Sequence, residues 1–199
     1  MREWIPVPGS SKARLVHTAL ERFGAAGYEA VNVTDLAAGA GVTTGSLYHH
    51  FGSKLGLYAV VREEAERRVL DRMEGAAAAR AGDGPAAATR AALLVGFDYL
   101  ATQGLARLLA ERHPQAGADP VESFLDRLTG SGGTPLGRLL AAAWRAALAA
   151  QADGVPPDRV RAALSAIAVD GRPGPQPQSR PRTRRGRLAP SGDAPSDLP

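Results

Sequence analysis

The chain has 199 residues, 44% of them hydrophobic, and no cysteine. That length supports one or two small domains with a buried core, and the missing thiols exclude disulfides and thiolate metal sites, in keeping with a reducing cytoplasm. The net charge of +4 comes wholly from residues after Gly171, where Arg172, Arg180, Arg182, Arg184, Arg185 and Arg187 face only Asp193 and Asp197, so overall charge describes the tail rather than a nucleic-acid surface.

Residues 1 to 10, with Trp4, Pro6, Pro8 and Gly9, read as an irregular arm without the apolar run of a signal peptide. Ser10 or Ser11 caps a first helix with Leu15 or Val16, Ala19, Leu20 and Phe23 on its core face. Gly24 and Gly27 are expected to stop it, and Tyr28 and Val31 to close the core from the following loop. Lys12 and Arg14 read as solvated charges at a helix start, with a DNA-backbone contact as the alternative.

The stretch Val33 to Lys54, VTDLAAGAGVTTGSLYHHFGSK, parses as two short helices around a tight turn. Thr34 as N-cap with Asp35 in the first turn predicts a helix over roughly residues 35 to 40. Leu36 and Ala37 face inward, and Gly41 tolerates the positive φ of a turn. Val42 and Leu47 give the second helix its buried side, with Thr43 or Thr44 as its cap. Thr44, Gly45, Ser46, Tyr48, His49 and His50 then remain outward. They are small or hydrogen-bonding groups with no acidic residue among them, as suits a surface that enters a major groove.

Phe51-Gly52 makes a turn and Ser53 caps a fourth helix from Lys54 to Glu74, apolar at Leu55, Tyr58, Val61, Ala65, Val69 and Met73. Glu63 with Arg67 and Glu64 with Arg68 support its wet face. Residues 75 to 85 are a frayed helix end or a linker. Further helices are expected at Ala86–Gln103, with Leu93, Leu94, Phe97 and Leu100 on one side, and at Leu105–Arg112, ended by His113-Pro114. Asp119-Pro120 starts another that buries Val121, Phe124, Leu125 and Leu128, and Thr134-Pro135 precedes Leu136–Ala150. Arg145 interrupts the alanine- and leucine-rich run there, which is too short to cross a bilayer. Asp158–Val169 closes the series with Val160, Leu164 and Ile167. No strand-like alternation occurs, so the expected class is all-α, and the proline- and arginine-rich residues 171 to 199 are expected to be disordered.

From Ser11 to Val61 the chain resembles the N-terminal domain of TetR-family transcriptional regulators. The resemblance rests on the ordered run Phe23, Gly27, Thr34, Ala37, Gly41, Val42, Gly45, Leu47, Tyr48, His50, Phe51, Ser53 and Lys54. It implies a three-helix helix-turn-helix DNA-binding domain over 11–56 and a helical effector-binding and dimerisation domain over 57–170. It further implies a homodimer on a pseudo-palindromic operator in double-stranded DNA, and a small-molecule effector that releases a repressor by moving the fourth helix. Such domains close with two long helices in a four-helix interface, whereas here the final helix is short and runs into low-complexity sequence.

The candidate DNA-binding residues are Thr34, Thr43, Thr44, Gly45, Ser46, Tyr48, His49, His50 and Lys54. The resemblance implies that Tyr48 and His50 donate to phosphates, with Thr44, Gly45 and Ser46 nearest the bases. Lys54 adds a physical hint, since a cation in the first turn of a helix opposes the dipole unless an anion sits there. The effector pocket implied by the resemblance has Phe97, Tyr99, Gln103, His113, Phe124 and Trp144 as candidate lining, with plain core as the alternative for its aromatics. No nucleophile elbow, phosphate loop or metal-ligand spacing accompanies His49, His50 or His113, so no catalytic residue, metal or cofactor is expected. A soluble cytoplasmic protein with no membrane partner is expected. The competing reading is a helical interaction module without sequence-specific DNA binding.

Overall fold

The structure, a computed structural model, describes residues 9–111, 118–130 and 135–167. The arm before Gly9, the stop at His113-Pro114, the Thr134 signature and the tail from Gly171 lie outside these residues. Helix α1 (Ser11–Ala30) starts where Ser10 Oγ accepts the Ala13 N–H at 3.1 Å, and it buries Leu15, Val16, Ala19 and Phe23. Of the two glycines expected to stop it, only Gly27 breaks the helix, at φ +78. Gly24 stays helical, and its bare backbone lets the chain at Gly104 cross there. A Cβ on Gly24 would stand 2.5 Å from the Gly104 carbonyl oxygen, so the site needs a residue without one.

Helices α2 (Val33–Gly39) and α3 (Thr44–Phe51) follow, and Ser53 caps α4 (Lys54–Ala79) by accepting the Gly56 N–H at 2.9 Å. The fourth helix ends at Ala79 rather than Glu74, since the alanine run 76–79 continues it with the best helix former. Its buried side holds the expected Tyr58, Val61, Ala65, Val69 and Met73, and also Leu57 and Arg62; Leu55 is only half-buried. Arg67 pairs with Glu64 at 2.5 Å rather than with Glu63, and Glu64 also holds Arg68 at 2.7 Å.

A 3-10 turn (Ala81–Asp83) reverses the chain into α5 (Pro85–Gln103), which packs back along α4, so the stretch 75–85 is helix end and turn rather than linker. Then come α6 (Ala106–Ala110), α7 (Pro120–Thr129), α8 (Leu136–Ala152) and α9 (Pro157–Ser165). The last helix ends at Ser165, and Ile167 packs on the core from beyond it. The class is all-α, with no strand among the described residues. No helix among them is long and apolar enough to cross a membrane. Buried side chains from Leu15 to Leu164 form one contiguous core.

Two arginines lie inside that core. Arg62, 1% exposed, donates through Nη1 to the Leu108 carbonyl (2.5 Å) and the Tyr58 hydroxyl (3.2 Å), and through Nε to Glu66 (3.1 Å). Arg145, 7% exposed, donates to the Leu109 carbonyl at 2.5 Å and to Asp119 at 2.7 Å. Leu108 and Leu109 belong to the last turn of α6, whose carbonyls have no partner within their own helix. The guanidinium groups supply the donors.

Asp119 also caps α7, accepting the Val121 and Glu122 N–H groups at 3.0 and 3.2 Å. Burial alone would push its carboxyl up, but the Arg145 guanidinium and these backbone donors outweigh that and hold it below the ordinary carboxylate value. A lowered folded-state value means that the pair's stabilisation is complete above about pH 4 and is lost as pH falls through the lower folded value. Asp119→Asn, which keeps a cap acceptor but leaves Arg145 without its anion, is therefore expected to destabilise by a constant amount between neutral pH and pH 5. Chemical denaturation across pH should show that deficit shrinking below about pH 4.

Candidate nucleic-acid interface

The cap of α2 is Asn32 rather than Thr34. Asn32 Oδ1 accepts the Asp35 N–H at 2.7 Å, and Asn32 Nδ2 donates to the Asp35 carboxylate at 2.7 Å, a reciprocal pair across the first turn. Both residues are favoured caps, and the one lying three before Asp35 takes the position because Asp35 answers it. Thr34 becomes an exposed residue of the first turn. Leu36 and Ala37 are buried as expected.

The turn between α2 and α3 is closed by hydrogen bonds. Val42 N–H reaches back to the Ala37 carbonyl and Gly41 N–H to Ala38, both at 3.0 Å, with Gly41 at φ +62. This is a Schellman closure, which needs the left-handed conformation that glycine adopts freely. Arg14 completes it, donating Nε to the Ala40 carbonyl at 2.9 Å and Nη1 to Gly9 at 2.8 Å. Arg14 thus braces the turn, a role that neither sequence alternative gave it.

Thr43 caps α3, its hydroxyl accepting the Ser46 N–H at 3.2 Å. Leu47 is the fully buried residue of this helix, with Val42 and Phe51 half-buried against the core. Thr43, Thr44, Gly45, Tyr48, His49 and His50 are exposed, Tyr48 at 53%, while Ser46 is half-buried. The His49 and His50 rings lie 5.1 Å apart at 65°. Gly52, at φ +73, turns the chain into Ser53 and α4. Lys54 is half-buried, and its ammonium lies 4.2 Å from the Tyr28 ring centroid. Part of the dipole penalty on this cation is thereby offset by an aromatic face, a contact the sequence does not advertise.

The effector candidates scatter. Phe97 and Trp144 are fully buried, and Trp144 donates its indole N–H to the Leu93 carbonyl at 3.1 Å, so both fill the centre of the core. Tyr99 is half-buried under the Arg72 guanidinium at 4.1 Å, Gln103 is exposed, and His113 lies outside the described residues. Phe124 lines a cavity of about 370 Å³ with Glu74, Ala77, Ala88 and Leu128, between the end of α4, the start of α5 and α7. A second apolar hollow of about 300 Å³ lies on α8 and α9, lined by Ala143, Ala147, Ala150, Val160 and Ala163.

Residues 15–61, which include the candidate DNA-facing residues from Thr34 to Lys54, match the family of bacterial regulatory proteins described as the tetR family. The chain is 47% identical over 45 residues to the HTH-type transcriptional repressor KstR2 of two Mycobacterium tuberculosis strains, covering 23% of this chain and 22% of the relative. It is 40% identical over 68 residues to KstR2 of Mycolicibacterium smegmatis, covering 34% and 31%. The chain thus matches less than a third of the length of these curated relatives. A longer match is to the crystal structure of a Rhodococcus sp. protein assigned to the TetR-family transcriptional regulators, with TM-score 0.56 and 16% identity over 78% of this chain and 94% of that one. A protein solved in work on the control of antibiotic production by bacterial hormones gives TM-score 0.50 and 24% identity over 77% and 95%. At those identities the likeness is one of fold.

The cap assignment is checked by substitution. Asn32→Ala is expected to cost about 1 kcal/mol of unfolding free energy, against a few tenths for Thr34→Ala. Equal losses in urea denaturation, or a larger one at Thr34, would contradict the geometry.

Proposed function

We propose that this chain, whose residues 15–61 match the tetR family of bacterial regulatory proteins, is a DNA-binding transcriptional regulator, a repressor released from its operator by a small-molecule effector. The observation that carries the reading is the outer face of α3. An eight-residue helix is about 12 Å long, comparable to the width of a B-DNA major groove, and this one offers Thr44, Gly45, Tyr48, His49 and His50 to solvent with no acidic group from Thr43 to His50. In this reading Thr44, Gly45 and Ser46 lie nearest the bases, where the bare Gly45 permits close approach. Tyr48, His49, His50 and Lys54 meet phosphates, and the Thr34 and Thr43 hydroxyls flank them at the starts of α2 and α3. Residues 11–56 then form the reading unit and 57–170 the effector and dimer unit.

The partner of a pseudo-palindromic operator is a homodimer. Support comes from α8 and its connection to α9, where Leu139 is 62% exposed and Val155, which lines the alanine-rich hollow, 41%. Small side chains there permit close helix approach by a second copy. For the effector, the cavity at Phe124 and Leu128 reaches Glu74 and Ala77 of α4, so a bound molecule touches the helix whose first turn adjoins α3. An effector favouring one position of α4 changes the separation of two reading heads, and DNA affinity falls by the difference between the two states.

Gel shift against DNA flanking the chain's own gene tests the regulator reading. The wild type is expected to retard it, with Tyr48→Ala and Lys54→Ala each weakening binding about tenfold. A well-folded wild type that leaves this DNA unshifted would remove the reading in favour of an interaction module. Light scattering tests the dimer separately. The wild type should elute as a dimer at micromolar concentration, and Ala147→Glu, which puts a charge in the hollow, as a monomer of unchanged helicity.

A further inference from the structure

We propose that Tyr28 is the positioning residue for Lys54, holding its ammonium ready for a backbone phosphate; this rests on the DNA contact of Lys54 proposed above. Gly27, at φ +78 and ψ 177, breaks α1 and turns the chain just before Tyr28. The Tyr28 ring then lies 4.8 Å from Tyr58 at 63° and 6.2 Å from Phe23, and those two buried rings meet edge to face at 5.1 Å. Tyr58 is fixed in turn by the hydrogen bond from buried Arg62 at 3.2 Å. Tyr28 is therefore a braced platform rather than a loose surface ring, and Lys54 Nζ rests over it at 4.2 Å.

Two physical consequences follow from that placement. A cation in the first turn of α4 is repelled by the helix dipole, and the negative face of the ring supplies local compensation without an opposing carboxylate that would compete with DNA. A free lysine also loses considerable rotamer freedom on meeting a phosphate, whereas one already resting on a ring loses less. The ammonium carries three donors, and an aromatic face leaves room for one of them to reach an anion. Tyr28 acts through Lys54 and touches no DNA itself.

Phosphate contacts are independent of sequence, so the test uses the full-length chain and a short mixed-sequence duplex at low salt. Lys54→Gln is expected to weaken binding and to make the slope of log affinity against log salt shallower by about 0.9 for each phosphate that Lys54 neutralises. Tyr28→Leu should weaken binding about two- to fivefold, Tyr28→Phe should restore it, and Tyr28→Leu should have no further effect in a Lys54→Gln background. In the free protein, the Lys54 ε-methylene protons should show a ring-current shift in the wild type and Tyr28→Phe that vanishes in Tyr28→Leu. If Lys54→Gln weakens binding but Tyr28→Leu does not, Tyr28 has no positioning role. A Tyr28→Leu loss that persists in the Lys54→Gln background marks general damage to the fold and overturns the proposal equally, as does a wild type without the ring-current shift. Should Lys54→Gln bind like the wild type, the DNA contact of Lys54 itself falls, and the proposal with it.

Discussion

Helix α6 keeps its place because two buried guanidinium groups hold consecutive carbonyls at its end. Five residues are too few to sustain a helix alone, and its terminal carbonyls face the interior, where an unpaired acceptor is costly. Arg62 comes to Leu108 from α4 and Arg145 to Leu109 from α8, each with a carboxylate at its back, Glu66 and Asp119. The same short helix, with the turn at Gly104 before it, carries α1. Gly24 of α1 lies against the Gly104 carbonyl, and Gly27 lies beside Arg107 and Glu111. Any shift of α6 must therefore take Arg62 and Arg145 with it or leave a buried cation unpaired, at a cost of several kcal/mol. Through that constraint α1, α4 and α8 are held in one relative arrangement.

What the sequence discloses of this fold follows from how local the causes are. Ser10, Ser53 and the Asp119-Pro120 pair act within one helical turn, and the periodic faces of α1, α4 and α7 repeat within a few turns, so the helices and the all-α class are readable from spacing. The errors come from longer range. Gly24 looks like a breaker until the Gly104 carbonyl is placed against it. Arg62 stands out by no local pattern and Arg145 reads as an interruption, because a charge belongs outside unless the fold brings it an acceptor. Arg145 did carry a signal, a lone cation amid alanines and leucines on a helix that must bury one side.

The proposed interface divides in the same way. The pattern from Gly41 to Leu47 is local, so the turn and the buried leucine are legible, and the exposed set follows by elimination except for Ser46, which is half-buried. Asn32 and Thr34 are both competent caps, and only the reciprocal bond with Asp35 decides between them. The Arg14 contact to Ala40 and the Tyr28 ring beneath Lys54 join residues 26 apart, beyond any helical period. On the effector side, Phe97 and Trp144 fill the centre of the core, while Phe124 alone of the candidate aromatics lines the cavity, among mostly small side chains.

Helices α2 and α3, of seven and eight residues, fall short of the roughly 12 to 15 at which isolated helices become marginal in water. They persist because each end is capped and because Leu36 and Leu47 are packed against α1 and α4. Their internal geometry is set locally, by the Schellman turn and the caps, while their orientation is inherited from the two longer helices. A displacement of α4 relative to α1 therefore moves α3 as an intact body, since tilting it costs little beside breaking its caps. This suits the proposed switch: the surface proposed to meet DNA would keep its shape in both states and only its placement would change, so affinity for an operator would respond to geometry without remaking the reading helix.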